Sequence, residues 1–401
     1  MKILFISQYF YPEIFKGNDI AFDLAKRGNK VTVITGIPNY PKGEFYKGYS
    51  LFKKRSEYLK GVHIIRVPII PRGKGNAILL LFNYFSYAII GSIYTLFLSL
   101  LKKYDRIFVQ QLSPVTMSFP AIIYKKLRGT YLLTWVLDLW PDSLSAAGGI
   151  KNKYILNFFD IFAKLEYANS DKILISSNKF REAILKKGDW NNKIIYFPNW
   201  AEDIFINYKY QDKDNIILPK GFKILFAGNI GEAQDFDSIM KAAYLLKNNK
   251  FIKFIIIGDG RKKEWVDNFV NLHHMRDTII LLGRLPIEVM PKYYAQADVM
   301  LVSLKPDYLF TITAPAKIQA YMLSKKPIIG MMSGEGSDII KQANCGFCVN
   351  AGKYEELKDI ILKTSLLSKN NLKILGDNGY NFYKSNFDKQ KCMDNLYRII
   401  N

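Results

Sequence analysis

The groups in this 401-residue chain best placed to hold a charged substrate sit where apolar runs end. Lys223-Ile224-Leu225-Phe226-Ala227 reads as a strand buried on both faces. It leads into Gly228-Asn229-Ile230-Gly231-Glu232-Ala233-Gln234, and Asp235 to Leu246 then has a helical period. Strand, glycine turn and helix start bring free backbone N–H groups and the positive end of a helix dipole to one point, which suits a phosphate. Gly258-Asp259-Gly260-Arg261, Gly283-Arg284 and Ser303-Leu304-Lys305-Pro306-Asp307 end further expected strands, and Thr313-Ala314-Pro315-Ala316-Lys317 precedes a helix. Beyond the carboxyl ends of parallel strands, such turns and cations converge into an electropositive cleft for a diphosphate. The spacing Gly228-x-x-Gly231 is not G-x-G-x-x-G, which argues against a dinucleotide.

The first half offers a different chemistry. Trp135-Val-Leu-Asp138-Leu-Trp140-Pro141-Asp142 ends a strand with an acid between tryptophans, a pairing that suits a sugar: rings stack on its apolar face and the carboxylate accepts from hydroxyls. A helix cap is the plainer reading of Asp138 and the stronger one for Asp142. Glu13, after the first strand in Tyr-Phe-Tyr-Pro-Glu, is placed to face the same cleft. His63, His273 and His274 lie away from it, and no G-x-S-x-G elbow, H-E-x-x-H or paired metal carboxylate appears, so hydrolase and metalloenzyme readings lack residues. Cys345-Gly-Phe-Cys348 has no second pair or histidine cluster to complete a zinc site and reads as a turn entering a strand.

The elements that must position these groups alternate strand and helix, as in a parallel sheet. Expected strands are Lys2–Ser7, Val31–Thr35, His63–Val67, Arg106–Gln110, Tyr131–Val136, Lys172–Ser176 and Lys193–Phe197, then Lys223–Ala227, Phe254–Gly258, Ile279–Gly283, Val299–Ser303 and Pro327–Gly330. Expected helices include Asp19–Arg27, Phe119–Leu127, Ile155–Tyr167, Lys179–Lys186 and a terminal Lys389–Ile400. The phrase Lys-Ile-Leu-Phe opens both halves, and Pro198-Asn199-Trp200 breaks the alternation. The expected organisation is an N-terminal α/β domain over 1–199, a second over 200–385, and a C-terminal helix over 386–401.

The formal charge is +22, with +16 in residues 1–200 and +6 beyond, so the halves face different partners. No nucleic-acid-binding signature accompanies the basic half, which leaves an anionic membrane surface. Three cysteines fit a reducing cytosol, and the opening Met-Lys-Ile-Leu-Phe-Ile-Ser enters a strand with no expected signal peptide. Ala77–Leu101 holds no charge. As a helix it would measure about 38 Å, enough to cross a bilayer, yet a crossing would divide strands that share a sheet. Its wheel puts Ile78, Phe82, Phe85, Ile89, Ile93, Leu96 and Leu100 on one face and Asn83, Tyr87, Tyr94, Thr95 and Ser99 opposite. With Lys53-Lys54-Arg55, Arg72, Lys74, Lys102 and Lys103 as flanks, it fits a helix sunk into an anionic leaflet from the cytosolic side, or else a sheet-covering helix.

Taken together, the motifs resemble family 4 glycosyltransferases, whose GT-B fold sets two facing Rossmann-like, doubly wound domains around a cleft. Ile37-Pro-Asn-Tyr-Pro41, Asp138-Leu-Trp-Pro141, Phe197-Pro-Asn-Trp-Ala-Glu202, Ala227 to Gln234 and Pro315-Ala-Lys-Ile-Gln-Ala-Tyr-Met322 are similar to the N-acetyl-L-fucosamine transferase branch of O-antigen and capsule synthesis. The resemblance implies a retaining, metal-independent transfer from a UDP-sugar to a saccharide on undecaprenyl diphosphate, by an enzyme peripheral to the inner face of the plasma membrane. It implies that Asn229, Arg261, Arg284 and Lys317 lie near the donor phosphates or base, beside Gly228, Gly231 and Gly260. The Gly17-Asn18 loop would close over the diphosphate, Asp138 would flank the transferred sugar, and Glu13 and Trp140 would lie on the acceptor side. The family's Arg and Lys after the first strand of the second domain are here Asn229 and Gln234, its Glu-x7-Glu falls on Ile312 and Ala320, and the histidine before its acid is Leu137. Arg284, Lys317 and Gln319 are the candidate replacements. A nucleotide-sugar epimerase of the same fold and a non-catalytic scaffold are the alternatives.

Overall fold

A computed structural model describes residues 1–73, 77–146, 152–208 and 216–401; Lys74, counted above among the basic flanks, lies outside them. The chain divides into two compact units, 1–197 with 393–401, and 198–392.

The first unit runs β1 (Lys2–Ile6), α1 (Lys16–Lys26), β2 (Lys30–Gly36), β3 (Ser56–Leu59), β4 (Val62–Val67), α2 (Ala77–Leu101), β5 (Arg106–Gln111), α3 (Phe119–Arg128), β6 (Tyr131–Val136), α4 (Asp142–Ala146), α5 (Lys153–Asn169), β7 (Lys172–Ile175), α6 (Phe180–Leu185) and β8 (Ile194–Tyr196). Its sheet has the order β3-β4-β2-β1-β5-β6-β7-β8. All neighbours pair parallel except β3, which lies antiparallel on β4. That edge strand, Ser-Glu-Tyr-Leu, was not expected from sequence. It is half polar, as an edge with one solvated face allows.

The second unit runs α7 (Asp203–Ile206), β9 (Phe222–Ala227), α8 (Phe236–Leu245), β10 (Ile252–Ile257), α9 (Lys263–Leu272), β11 (Ile279–Gly283), α10 (Met290–Gln296), β12 (Val299–Ser303), α11 (Tyr308–Ile312), α12 (Lys317–Leu323), β13 (Ile328–Met331), α13 (Glu335–Gln342), β14 (Gly346–Val349), α14 (Tyr354–Ser365) and α15 (Lys369–Asn386). Its wholly parallel sheet has the order β11-β10-β9-β12-β13-β14. The central strands read as unbroken apolar runs, and residues such as Leu225, Ile255 and Met300 are fully buried, because helices cover both faces of such a sheet. Cys345 directly precedes β14 and Cys348 lies within it, as a turn entering a strand. Burial pushes both thiols up to about 12 and keeps them unreactive. The last helix, α16 (Lys389–Ile400), returns from Met393 onward to the first unit. There Arg27 pairs with Asp394 at 2.6 Å and Arg106 Nε donates to the Ile400 carbonyl at 2.7 Å.

Each sheet reverses its strand order once, between β1 and β5 and between β9 and β12. Ligands of doubly wound sheets collect outside the carboxyl ends at such switch points.

Helix α2 is built inside out. Asn83, Tyr87, Thr95 and Ser99 are buried, while Ile78, Phe82, Ile89, Ile93, Leu96 and Leu100 are exposed; Phe85 is half-buried. The inward polar groups are all used. Gln8 Nε2 donates to Asn83 Oδ1 at 2.7 Å, Asn83 Nδ2 donates to the Ile70 carbonyl at 2.6 Å, and Tyr87 Oη donates to the Ile34 carbonyl at 3.0 Å. Thr95 and Ser99 bond back to the carbonyls of Gly91 and Leu96. Among the described residues this is the one helix long and apolar enough to cross a membrane.

Candidate functional site

At the switch point of the second sheet, β9 and β12 pair only through Ile224–Val299 and Leu225–Met300. Beyond that the strands part, and the Ala227 backbone loses its ladder partner. The hydroxyl of Tyr321, from α12, fills the gap: it accepts from Ala227 N at 3.0 Å and donates to Ala227 O at 3.2 Å. Lys317 is one helical turn earlier on the same face. Its Nζ therefore arrives at the end of β9, 4.0 Å from the Phe226 ring centroid and against Gly228, where an added Cβ would come within 3.0 Å of it. The side chain is part-exposed along its stem, but Nζ is closed off and, among the described residues, has no hydrogen-bond partner. Burial pushes the amine down to about 7.

Glycines let the surrounding turns interlock. Gly228, Gly258 and Gly260 have φ of 136°, 154° and 156°. A Cβ on Gly258 would lie 1.8 Å from the Gly228 carbonyl oxygen, and one on Gly260 would lie 2.4 Å from that of Ile230. Ile230 N donates to Asp259 O at 2.8 Å and Lys262 N to Ile230 O at 2.9 Å, which locks the loops after β9 and β10 together. Gly258→Ala is expected to destabilise the unit by on the order of 3 kcal/mol, since neither backbone can yield. A thermal melt unchanged from wild type would refute the interlock.

The cations at this point divide into two groups. Lys305 Nζ pairs with Glu232 at 2.6 Å and Lys262 Nζ with Asp237 at 2.6 Å. Their proximity holds both carboxyls below the usual range: for Glu232 the Lys305 hydrogen bond is the main cause, and for Asp237 burial, which raises it, is outweighed by the Lys262 hydrogen bond and charge acting together with weaker contacts. Arg261 and Arg284 are exposed, and among the described residues neither has an ion-pair partner. Arg284 follows edge strand β11, two strands from the switch, where Gly283 O accepts from Gly258 N at 2.8 Å. Asn229 Nδ2 reaches Gln234 Oε1 at 3.3 Å, so the two residues standing for the family's cations bond to each other.

Gln319 corrects the sequence reading. It is buried, with its amide nitrogen directed at the carbonyls of Ala316 (2.8 Å) and Pro315 (3.3 Å), and it props the loop instead of facing a ligand. Ile312 and Ala320, at the positions of the family's acids, are also buried. Sequence reasoning missed Glu335, the first residue of α13. A Cβ on Gly334 would lie 1.9 Å from the Thr311 carbonyl oxygen, and one on Gly336 would lie 2.9 Å from Pro315 Cδ. These two contacts set Glu335 against the 311–315 loop; the signal was Gly-Glu-Gly following a strand.

In the first unit, Gly17 and Asn18 form the first turn of α1, not a loop. The helix meets the switch point so closely that a Cβ on Gly17 would lie 2.0 Å from Gln110 Oε1. Asn18 Nδ2 donates to the Glu13 carbonyl at 2.7 Å. Glu13 is turned inward: Oε1 accepts from Asn39 N at 2.7 Å and Tyr40 N at 2.6 Å, and burial outweighs these bonds to push its carboxyl up to about 7. It shapes the loop of the 37–41 motif.

Asp138 follows β6, adjacent to the switch strand β5. It accepts from Ser113 Oγ and from Trp140 Nε1 at 3.2 Å, and burial raises it above the usual carboxyl range against these bonds. The tryptophans are not the stacking platforms expected. Trp135 is sealed in the core with Nε1 donating to the Phe197 carbonyl, and Trp140 packs edge-on to Tyr84 and Phe159. Trp140 orients Asp138 through its N–H. Among the described residues no cluster of three or more His, Cys, Asp or Glu could hold a metal ion.

Two doubly wound units, each with its candidate groups at a switch point, define the GT-B type of glycosyltransferase fold. Solved structures agree on the fold. Sucrose-phosphate synthase from Thermosynechococcus elongatus superposes with a TM-score of 0.77 at 14% identity, covering 99% of this chain and 98% of that one. Anabaena HepE, solved with UDP and glucose, gives 0.71 at 15%, covering 100% and 99%. Residues 221–365 match the family described as Glycosyl transferases group 1. The chain is 29% identical over 243 residues to "Probable glycosyltransferase WbjE" of Pseudomonas aeruginosa, covering 58% of each chain. It is 27% identical over 293 residues to the Escherichia coli K12 protein named as colanic acid biosynthesis glycosyl transferase WcaI, covering 69% of this chain and 70% of that one.

Proposed function

We propose that this protein transfers a sugar from a UDP-linked donor to a saccharide on undecaprenyl diphosphate, with retention and without a metal, in surface polysaccharide synthesis. The observation that carries the reading is the buried, unpartnered Lys317 amine at the switch point of the second sheet. Arg261 and Arg284 are further unpaired cations on neighbouring strand ends. WcaI is named for a polysaccharide pathway and HepE was solved with UDP. The motif resemblance points to an N-acetylated deoxyhexose such as N-acetyl-L-fucosamine.

In this reading the donor diphosphate lies over Gly228, Asn229, Gly231 and Gly260 and is neutralised by Lys317, Arg261 and Arg284. Glu335 of the same unit grips the ribose; in the first unit, taken by itself, the first turn of α1 at Gly17 and Asn18 presents N–H groups suited to an anion, and Asp138 is the carboxylate suited to a sugar hydroxyl. The bond from the anomeric carbon to the acceptor oxygen forms as its bond to phosphate oxygen breaks, on the same face. The acceptor hydroxyl proton passes to the departing phosphate oxygen, so no histidine base is needed, and the cations stabilise the charge that develops there.

In this reading the protein works on the cytosolic face of an anionic membrane, where such an acceptor resides, and the exposed apolar side of α2 supports it. The loop tip Leu51-Phe52, with Phe52 93% exposed, adds a second apolar group beside Lys53, Lys54 and Arg55.

The test is release of UDP from a panel of UDP-sugars with and without an undecaprenyl-diphosphate saccharide. Acceptor-dependent release supports transfer; interconversion of the sugar without acceptor would make the protein an epimerase. Asp138→Ala is expected to lower turnover by about 10²–10³-fold with a nearly unchanged donor KM. Wild-type turnover in that variant would remove Asp138 from the sugar site.

A further inference from the structure

The C-terminal end of α2 borders a cavity that the transfer reaction does not use. It measures about 490 Å³ and is lined by Lys2, Lys30, Lys102, Lys103, His63 and Tyr104, among others. It opens at the amino-terminal edge of the first sheet, where β1, β2 and β4 begin. The proposed chemistry lies at the opposite, carboxyl-terminal edge. We propose that this cavity binds a phosphate monoester or diester, and that in the cell the phosphate is the headgroup of a lipid in the leaflet against which α2 rests.

Four observations carry the assignment. Four lysines converge on one cavity, and among the described residues none of their ammonium groups has an ion-pair partner. Unpaired like charges of this density repel one another, and a bound phosphate would relieve the repulsion. The negative end of the α2 dipole, which would oppose an anion here, is already covered. Arg128 donates from Nε to the Ser99 carbonyl and from Nη2 to that of Leu100 at 3.3 Å, and Tyr124 Oη donates to that of Lys102 at 2.6 Å. His63 is fixed at the rim by Ser56, whose Oγ lies 2.9 Å from Nε2, and by Tyr58, stacked on it at 4.4 Å. Burial and the nearby Lys102 both lower its pKa, so it registers the local field. Lastly, Leu101 lines the cavity and is 81% exposed beside Leu100 at 69%, so the outward apolar face of α2 runs directly into the basic cavity. That continuity selects a lipid over a free ester. The lipid source rests on the membrane reading of α2 given above; the phosphate site does not.

The 401-residue chain has three histidines, so the His63 ring can be followed by NMR. Its pKa is expected to rise when inorganic phosphate is added. It is also expected to rise with phosphatidylcholine vesicles containing phosphatidylglycerol, beyond any change with phosphatidylcholine alone. Both responses should vanish in Lys30→Gln/Lys103→Gln, which should also bind the mixed vesicles roughly tenfold more weakly. Lys172→Gln/Lys193→Gln removes the same charge at the far edge of the sheet and should do neither. A response to phosphate with none to vesicles would keep the site and overturn its lipid occupant. No response to either, or equal losses in the two double variants, would overturn the site. Phe82→Glu/Ile89→Glu separates the readings: if it still binds vesicles the membrane role of α2 fails, while the His63 response to inorganic phosphate stands or falls independently.

Discussion

Replacing Lys317 by methionine is expected to make the protein more stable and nearly inactive. The amine is held at about 7 by desolvation, against about 10.4 in water. Between those values the unfolded chain binds the proton and the folded chain does not, so stability rises with pH across this window. Below pH 7 both states are protonated and the folded chain bears the whole penalty. Lys317→Met removes the penalty, a gain of about 2–4 kcal/mol at pH 7, or very roughly 5–10 °C in the melting of the unit. The gain should shrink as the pH is raised toward 10. Turnover should fall about 10²–10³-fold, the usual effect of deleting one group that stabilises transition-state charge. The same reasoning has donor binding above pH 7 take up close to one proton, because the arriving diphosphate restores the charge on Nζ. Titration calorimetry in buffers of different ionisation enthalpy measures that uptake. A variant with wild-type turnover and an unchanged melt would remove Lys317 from the reaction.

The second large effect is expected at α2. Phe82, Ile89 and Phe97 are 53%, 57% and 59% exposed, and placing such a side chain in an apolar phase contributes about 2 kcal/mol. The triple change to glutamate should therefore weaken binding to anionic vesicles by at least about 10³-fold. Turnover on a membrane-embedded acceptor should fall with it. Thermal stability should hold, since the three residues pack against little of the protein, and turnover on a short-chain soluble acceptor should hold as well. Retained sedimentation with vesicles would mean that this face meets a protein or nothing. Loss of activity on the soluble acceptor would mean that α2 supports the fold.

The sequence by itself determined the periodicity and the punctuation. Unbroken apolar runs ended by glycine placed β9, β10 and β11, and a similar run ended by serine placed β12, because a strand covered on both faces has no polar side to display. The cations at their ends followed from the rule that ligands gather at the carboxyl ends of a doubly wound sheet. The charge-free stretch from Ala77 to Leu101 and its two-sided wheel were also legible, since a helix face is fixed by the 3.6-residue repeat.

Only the tertiary structure decided which of these groups are free. Lys305 reads as a phosphate ligand until Glu232, brought in from another turn, neutralises it, and Lys262 beside Arg261 is likewise taken up by Asp237. Trp140, Gln319 and Glu13 have the right chemistry for a site, yet each spends its polar atoms on neighbouring backbone or side chains. Lys317 and Glu335 gain their positions because Tyr321 fills the parting of β9 and β12 and because two glycines press against the 311–315 loop. A residue's type and its place along a strand end are local properties written in the chain. Its partners are contacts between segments distant in sequence, so availability for chemistry is set only when those segments pack.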